Sequence, residues 1–129
     1  MNILGIRTDK PQAELWLQIG DDIQKVEWEG HKQLSSTIFY KLDELFDAAN
    51  SKFDQIEGIV AFEGPGSFTG LRIGVTLANT LSYSLDVPVV AAAGDIWFAQ
   101  GIEKLKSGEN QKVVLPVYGG EANITKPRK

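Results

Sequence analysis

The pattern of apolar and polar residues predicts a chain that opens with strands and continues with alternating helices and strands. The apolar run at residues 2–6 predicts a buried first strand. Two strand-like stretches follow at 14–19 and 23–29, and the Gly-Asp-Asp sequence between them predicts a hairpin connection. The chain is therefore expected to begin with a three-stranded antiparallel meander.

Helical and strand-like periodicities then alternate. At 32–50 the apolar positions recur at helical spacing and charged residues fill the other side, which predicts an amphipathic helix of about five turns. The continuous apolar run GIVAF at 58–62 is typical of a parallel strand covered on both faces. The remaining predicted elements are a helix at 68–86, a strand at 87–92, a helix at 95–106 and a last strand at 113–117.

This order of elements predicts the fold class. A meander that runs into crossover helices joining parallel strands gives an α/β lobe with a mixed sheet. The same order occurs in the ribonuclease H-like lobe from which actin-like and sugar-kinase-like ATPases are built. We expect residues 1–117 to form this lobe and residues 118–129, which lack periodicity and end in Lys-Pro-Arg-Lys, to form a basic C-terminal tail.

Composition narrows the functional classes. The 129 residues are 43% hydrophobic and 23% charged, as in ordinary single-domain globular proteins, and the net charge of −4 does not favour broad nucleic-acid affinity. Without cysteine, the chain can form neither a disulfide nor a thiolate metal site. Its apolar runs are too short for a signal peptide or a membrane span, so we expect a cytoplasmic location.

A glycine-rich junction, EGPGSFTGLRIG at 63–74, joins a predicted strand to a predicted helix. Gly64, Pro65 and Gly66 are expected to form the reversal, and the Ser67 hydroxyl to cap the helix by accepting a free backbone N–H. The same N–H groups could instead bind phosphate. However, a Walker A loop requires Lys-Ser/Thr after its last glycine, and here Leu71-Arg72 follows Gly70.

The helix at 68–86 carries a ridge of small residues spaced by four: Gly70, Gly74, Ala78 and Ser82. Most of its other positions are apolar, and a helix that is apolar nearly all round is covered nearly all round. A glycine at position 74 costs roughly 1 kcal/mol relative to alanine, which indicates a close backbone approach. The lobe's sheet can cover only one side of this helix, and the cover of the other side is expected from the helix at 32–50, from a partner subunit, or from both.

Other candidate chemistry is sparse in the sequence. His31 is the only histidine, and at a helix start it is expected to be exposed or capping rather than a metal ligand. Asp9, Glu63 and Asp95 follow strand ends, where carboxylates can hold Mg²⁺, but such residues are more often turn or cap residues. A nucleophilic Ser67 would have no base beyond His31. We therefore expect no catalytic residues, no metal and no cofactor.

The glycine junction carries a family resemblance. GPGSFTGLRIG at 64–74 resembles, almost letter for letter, the signature of the TsaB (YeaZ) family of tRNA threonylcarbamoyladenosine biosynthesis proteins. Residues 3–8 (ILGIRT) are similar to the family's first strand, ILAIDTS, and Val-Pro-Val-Val at 87–90 is similar to the strand after its second helix. The resemblance covers about residues 2–96, with a weaker echo in Pro-Val-Tyr at 116–118.

The resemblance implies a scaffold without chemistry of its own. Family members pair with TsaD, the threonylcarbamoyltransferase that modifies tRNA, through the helices that correspond to 32–50 and 68–86. A TsaE-type ATPase joins the complex, tRNA is contacted only through the complex, and the isolated protein can form a homodimer. The interface residues expected here are Leu42, Gly70, Leu71, Arg72, Gly74, Ala78 and Ser82. Gly74→Leu is expected to abolish pairing while the lobe stays folded.

Two departures from the family pattern matter. Arg7 stands where the family's first strand has aspartate, which argues against an inherited phosphate or magnesium site. The family has two lobes, and this chain resembles a shortened member that lacks most of the second. A nucleotide-binding enzyme of the actin-like class is the alternative, a peptidase is a third reading, and the basic tail is a candidate contact for tRNA or for TsaE.

Overall fold

A computed structural model describes residues 1–30 and 33–118 as a five-stranded mixed sheet covered by three helices. The strand order is β3-β2-β1-β4-β5, in which β1 pairs antiparallel with β2 and parallel with β4. The strands are β1 Ile3–Arg7, β2 Gln12–Ile19, β3 Asp22–Glu29, β4 Gly58–Phe62 and β5 Val89–Ala92. The helices are α1 Leu34–Ala48, α2 Phe68–Leu85 and α3 Trp97–Lys106.

Helices α1 and α2 pack on one face of the sheet and α3 packs on the other. Because side chains alternate along each strand, one strand contributes to both cores. In β1, Leu4 and Ile6 belong to one core with α1 and α2, whereas Ile3 belongs to a second core with α3. All five residues of β4 are buried, as expected for a strand covered on both faces. The predicted ribonuclease H-like lobe is confirmed, and eight of its nine predicted elements form with ends shifted by at most two residues.

The predicted last strand at 113–117 is wrong: this segment forms no strand. Loop residues occupy the outer edge of β5 instead, since the Val89 and Ala91 N–H groups donate to the Asn110 and Gln111 side chains. The segment is held along α2, where the Val114 N–H and C=O both bond to the Asn79 side-chain amide.

A buried hydroxyl attaches α2 to the end of β1. Thr8 is 2% exposed, and its Oγ1 donates to the Gly70 C=O at 2.6 Å and accepts the Gly74 N–H at 3.1 Å. An uninterrupted α-helix pairs those two backbone groups with each other. A Cβ at position 70 would lie 2.6 Å from the Thr8 carbonyl oxygen, and one at position 74 would collide with Thr8 Oγ1. The two glycines therefore make room for Thr8.

Some expectations fall outside the described ranges. His31 and residues 119–129, which form nearly all of the predicted basic tail, are not among the described residues. The domain boundary at 117 therefore remains a prediction. Within 1–30 and 33–118, no helix combines the length and apolarity needed to cross a bilayer.

Thr8→Val tests the attachment of α2. The substitution keeps the shape of the side chain but leaves the Gly70 and Gly74 backbone groups without their shared hydroxyl. We expect the free energy of unfolding to fall by about 1–3 kcal/mol, measured by urea denaturation. Thr76→Val, at an exposed position of the same helix, should change it by less than about 0.5 kcal/mol. Equal effects of the two substitutions would contradict the attachment.

Candidate partner-binding site

The glycine junction is shaped by contacts with the chain itself. Gly64 has a φ of 112°, in the left-handed region that favours glycine, and a Cβ there would collide with the Val117 carbonyl oxygen. A Cβ on Gly66 would collide with Asp9. The junction thus passes too close to two other segments to tolerate side chains at these two positions.

Ser67 precedes the first residue of α2, but its hydroxyl forms no capping hydrogen bond, so that expectation is wrong. The main chain of Ser67 holds the helix start instead. Its N–H donates to the Asp9 C=O at 2.9 Å, and its C=O accepts the Leu71 N–H at 2.9 Å. The start of α2 is therefore fixed to the loop that follows β1 rather than by a local side-chain cap.

The carboxylates considered for Mg²⁺ have other partners or lie apart. Arg7 Nε and Nη2 donate to the two Asp9 carboxylate oxygens at 2.7 and 3.2 Å, and the guanidinium lies 4.0 Å from the centre of the Phe62 ring. Burial lowers the pKa of Arg7, but the hydrogen bond and charge of Asp9, with the charges of Glu14 and Asp95, raise it overall. Among the described residues, no three acidic or histidine side chains converge as metal ligands would.

The small ridge of α2 faces the chain's own sheet. Gly74, Ala78 and Ser82 are buried, and Gly70 is half-buried against the Thr8 carbonyl. The Ser82 hydroxyl donates to the Val87 C=O at 2.6 Å. The chain itself covers these residues, so the expectation that they form a partner interface is wrong. Thr8, not a second protein, fills the space over Gly70 and Gly74.

Leu42 and Leu71 are also corrected as interface residues. Both are fully buried, Leu42 in the core below α1 and Leu71 in the core shared with α3. A partner could reach neither side chain without unfolding the lobe. Of the seven expected interface residues, only Arg72 lies exposed on the outer side of α2.

An open apolar groove runs between α1 and α2 on the side away from the sheet. Its volume is about 400 Å³. Two of its aromatic side chains are more than half exposed, Phe39 at 56% and Phe68 at 57%. The guanidinium of Arg72 lies 5.4 Å from the centre of the Phe68 ring. The lining residues are Ser35, Ile38, Phe39, Phe68, Thr69, Arg72, Ile73, Thr76, Leu77 and Thr80.

Sequence reasoning missed most of this groove. Attention to the small ridge selected the inward face of α2, whereas the groove is lined by its outward face. A signal was present: Phe39 and Tyr40 interrupt the polar side of the predicted amphipathic helix, and both are exposed in the structure. Large aromatic residues on the polar side of an amphipathic helix indicate a surface that another molecule can cover.

Comparisons with known proteins give the family. Residues 29–125 match the sequence model of the family described as "TsaD: tRNA N6-adenosine threonylcarbamoyltransferase". TsaB of Bacillus subtilis is 63% identical over 35 residues, which are 27% of this chain and 15% of that protein. TsaB of Haemophilus influenzae is 32% identical over 73 residues, 57% of this chain and 31% of that protein. The chain belongs to the family that this model describes, and these TsaB relatives support a TsaB/YeaZ member of it.

Solved structures agree on the fold. YeaZ from Pseudomonas aeruginosa matches 83% of this TsaB/YeaZ chain with a TM-score of 0.70 at 21% sequence identity. The match to the TsaD family model is consistent with the fold that TsaB/YeaZ proteins share with TsaD. The chain spans about half the length of the YeaZ structure and less than a third of the two TsaB proteins.

Gly74→Leu is now expected to act on folding rather than on an interface. Thr8 occupies the space that a side chain at position 74 would need, so the leucine must displace α2 from β1. We expect a loss of at least about 2 kcal/mol of folding stability, or failure to fold, measured by thermal denaturation of the isolated protein. A variant with unchanged thermal stability would contradict the inward placement of the ridge.

Proposed function

We propose that this chain is a non-catalytic scaffold subunit in the formation of N6-threonylcarbamoyladenosine in tRNA. In this proposal it binds and activates a TsaD-type threonylcarbamoyltransferase through the face that α1 and α2 present away from the sheet. The observation that carries the proposal is the exposed apolar groove between these two helices, in a chain of the TsaB/YeaZ family.

The groove has the composition of a protein interface. Five of its ten lining residues are apolar, four are serine or threonine, and Arg72 is the one charged residue among them. Interface centres are enriched in aromatic residues and arginine and depleted of other charges. The open shape of the groove, with Phe39 and Phe68 standing at its sides, suits an inserted helix better than an enclosed small molecule.

The surroundings of Arg7 support a role without chemistry. The position corresponds, by the resemblance, to an aspartate of the family's first strand, and here it holds a cation paired with Asp9 and stacked on Phe62. A carboxylate whose two oxygens each accept from a guanidinium nitrogen has little remaining capacity for a Mg²⁺–phosphate complex. The strand end that would contact nucleotide in an actin-like ATPase is thus occupied by an internal ion pair.

Further partners follow from the same proposal. A TsaE-type ATPase would join the assembled pair, tRNA would be contacted only through the complex, and the complex would act in the cytoplasm. A homodimer of the isolated chain would use the same groove, so TsaD-type binding and self-association would compete.

The alternative function is a nucleotide-binding enzyme of the actin-like class that acts alone. The start of α2 favours it, since helix N-termini bind anions, and the fold is one that such enzymes share. Calorimetric titration of the isolated chain with Mg–ATP separates the two functions. Binding of Mg–ATP supports the alternative, whereas the scaffold proposal predicts that no binding is measured.

Phe39→Glu tests the proposed function. The substitution places a charge in the groove without disturbing the core, since the side chain is already more than half exposed. We expect the Kd for the TsaD-type subunit of the same genome to rise about 30-fold or more, which corresponds to ~2 kcal/mol. Titration of the purified pair by calorimetry measures this change.

The matched control is Ile96→Glu, at a similarly exposed aliphatic position beside α3 on the opposite face of the sheet. It should bind the TsaD-type subunit like the unmodified chain. If Phe39→Glu binds equally well, or if only Ile96→Glu weakens binding, the α1–α2 face is not the binding surface. In cells that depend on this chain, the same ranking should appear in the tRNA content of N6-threonylcarbamoyladenosine.

A further inference from the structure

We infer that the TsaD-type partner covers a second surface beside the groove, an apolar strip formed by Val113, Leu115, Val117 and Tyr118. This inference rests on the proposed function and extends the binding surface beyond the two helices. It assigns a binding role to the segment that was expected to be a sixth strand and is not.

The strip is fixed to the lobe. The Asn79 side-chain amide bonds to both backbone groups of Val114, at 2.9 and 3.0 Å, and the Val117 N–H donates to the Glu63 C=O at 2.7 Å. Val114 itself points into the core and is 1% exposed. The backbone of the strip is thus positioned in advance, which reduces the entropy lost when a partner binds.

The strip presents apolar side chains outward. Val113, Leu115 and Val117 are 61%, 72% and 48% exposed, and they flank the buried Val114 in the alternating pattern of a strand covered on one side only. Single exposed apolar residues need no explanation, but three within one five-residue segment concentrate apolar surface, and such concentrations mark interaction surfaces.

Phe68 makes the strip continuous with the groove. Its ring lines the groove and also packs on the Tyr118 ring at the end of the strip, with the ring centres 4.5 Å apart. On the groove side the Arg72 guanidinium lies near the same ring. A molecule seated in the groove over Phe68 would therefore meet Tyr118 without crossing a polar boundary.

The groove by itself is also smaller than a stable protein interface. Ten residues line it, whereas a stable protein interface takes about 20–30 residues from each partner. On the other flank, the outer face of α1 carries the exposed Tyr40 and, beyond it, Asp43, Glu44 and Asp47, which are exposed too. Charged residues of this kind are depleted at interface centres, so the apolar extension lies toward the strip. These points favour the occupant of the groove, rather than a different molecule, as the cover of the strip.

Leu115→Glu tests this inference in the full chain. Because the side chain is exposed, the variant should keep the melting temperature of the unmodified chain. We expect the Kd for the TsaD-type subunit of the same genome to rise about tenfold, the change that corresponds to ~1.4 kcal/mol. The matched control is Ile23→Glu, at an exposed aliphatic position on the α3 side of the sheet, which should leave the Kd unchanged. Leu115→Ala, which adds no charge, should show a smaller loss in the same direction.

Binding of the TsaD-type subunit by Phe39→Glu, measured in parallel, separates the two proposals. Loss with Phe39→Glu but not with Leu115→Glu overturns the strip and leaves the proposed function standing. Unchanged binding by both variants overturns both proposals. If Leu115→Glu disrupts only self-association in sedimentation equilibrium, the cover of the strip is a second copy of this chain and the inference is wrong.

Discussion

The Thr8 hydroxyl, inserted between the Gly70 C=O and the Gly74 N–H, is the interaction on which the rest of this structure depends. It fixes the rotation of α2 about its own axis, because only the small face of the helix can approach the end of β1 closely enough to make both hydrogen bonds. With that face turned inward, Phe68, Arg72 and Thr76 are turned outward. The proposed binding face is thus a consequence of how α2 is attached to the sheet.

The glycine-rich junction serves the same attachment. Gly64 and Gly66 allow the chain to pass Val117 and Asp9 at distances that exclude a Cβ. The main chain of Ser67 then bonds to the loop after β1. A segment whose composition suggests a phosphate loop is used here to set a helix against a sheet, and Arg7, paired with Asp9, closes the strand end beside it.

Periodicity predicted most of the architecture but not which face of α2 turns toward the sheet. The runs in β1, β4 and β5 and the spacing in α1 and α2 each encode their own element. The ridge of small residues on α2 shows only that another part of a molecule packs closely against it. That part is Thr8, which lies 62 residues before Gly70 and 66 residues before Gly74 in the chain. The prediction of a strand at 113–117 failed for a related reason, since side chains of Asn110 and Gln111 occupy the outer edge of β5.

The central claim is that the outward face of α1 and α2 binds a TsaD-type subunit. Hydroxyl-radical footprinting of the chain, alone and with the TsaD-type subunit of the same genome, tests it most directly because it reports on single side chains. The account predicts that Phe39 and Phe68 become protected in the mixture, while Trp16, on the α3 side of the sheet, is oxidised as before. Protection of Trp16 with Phe39 and Phe68 still reactive would contradict it.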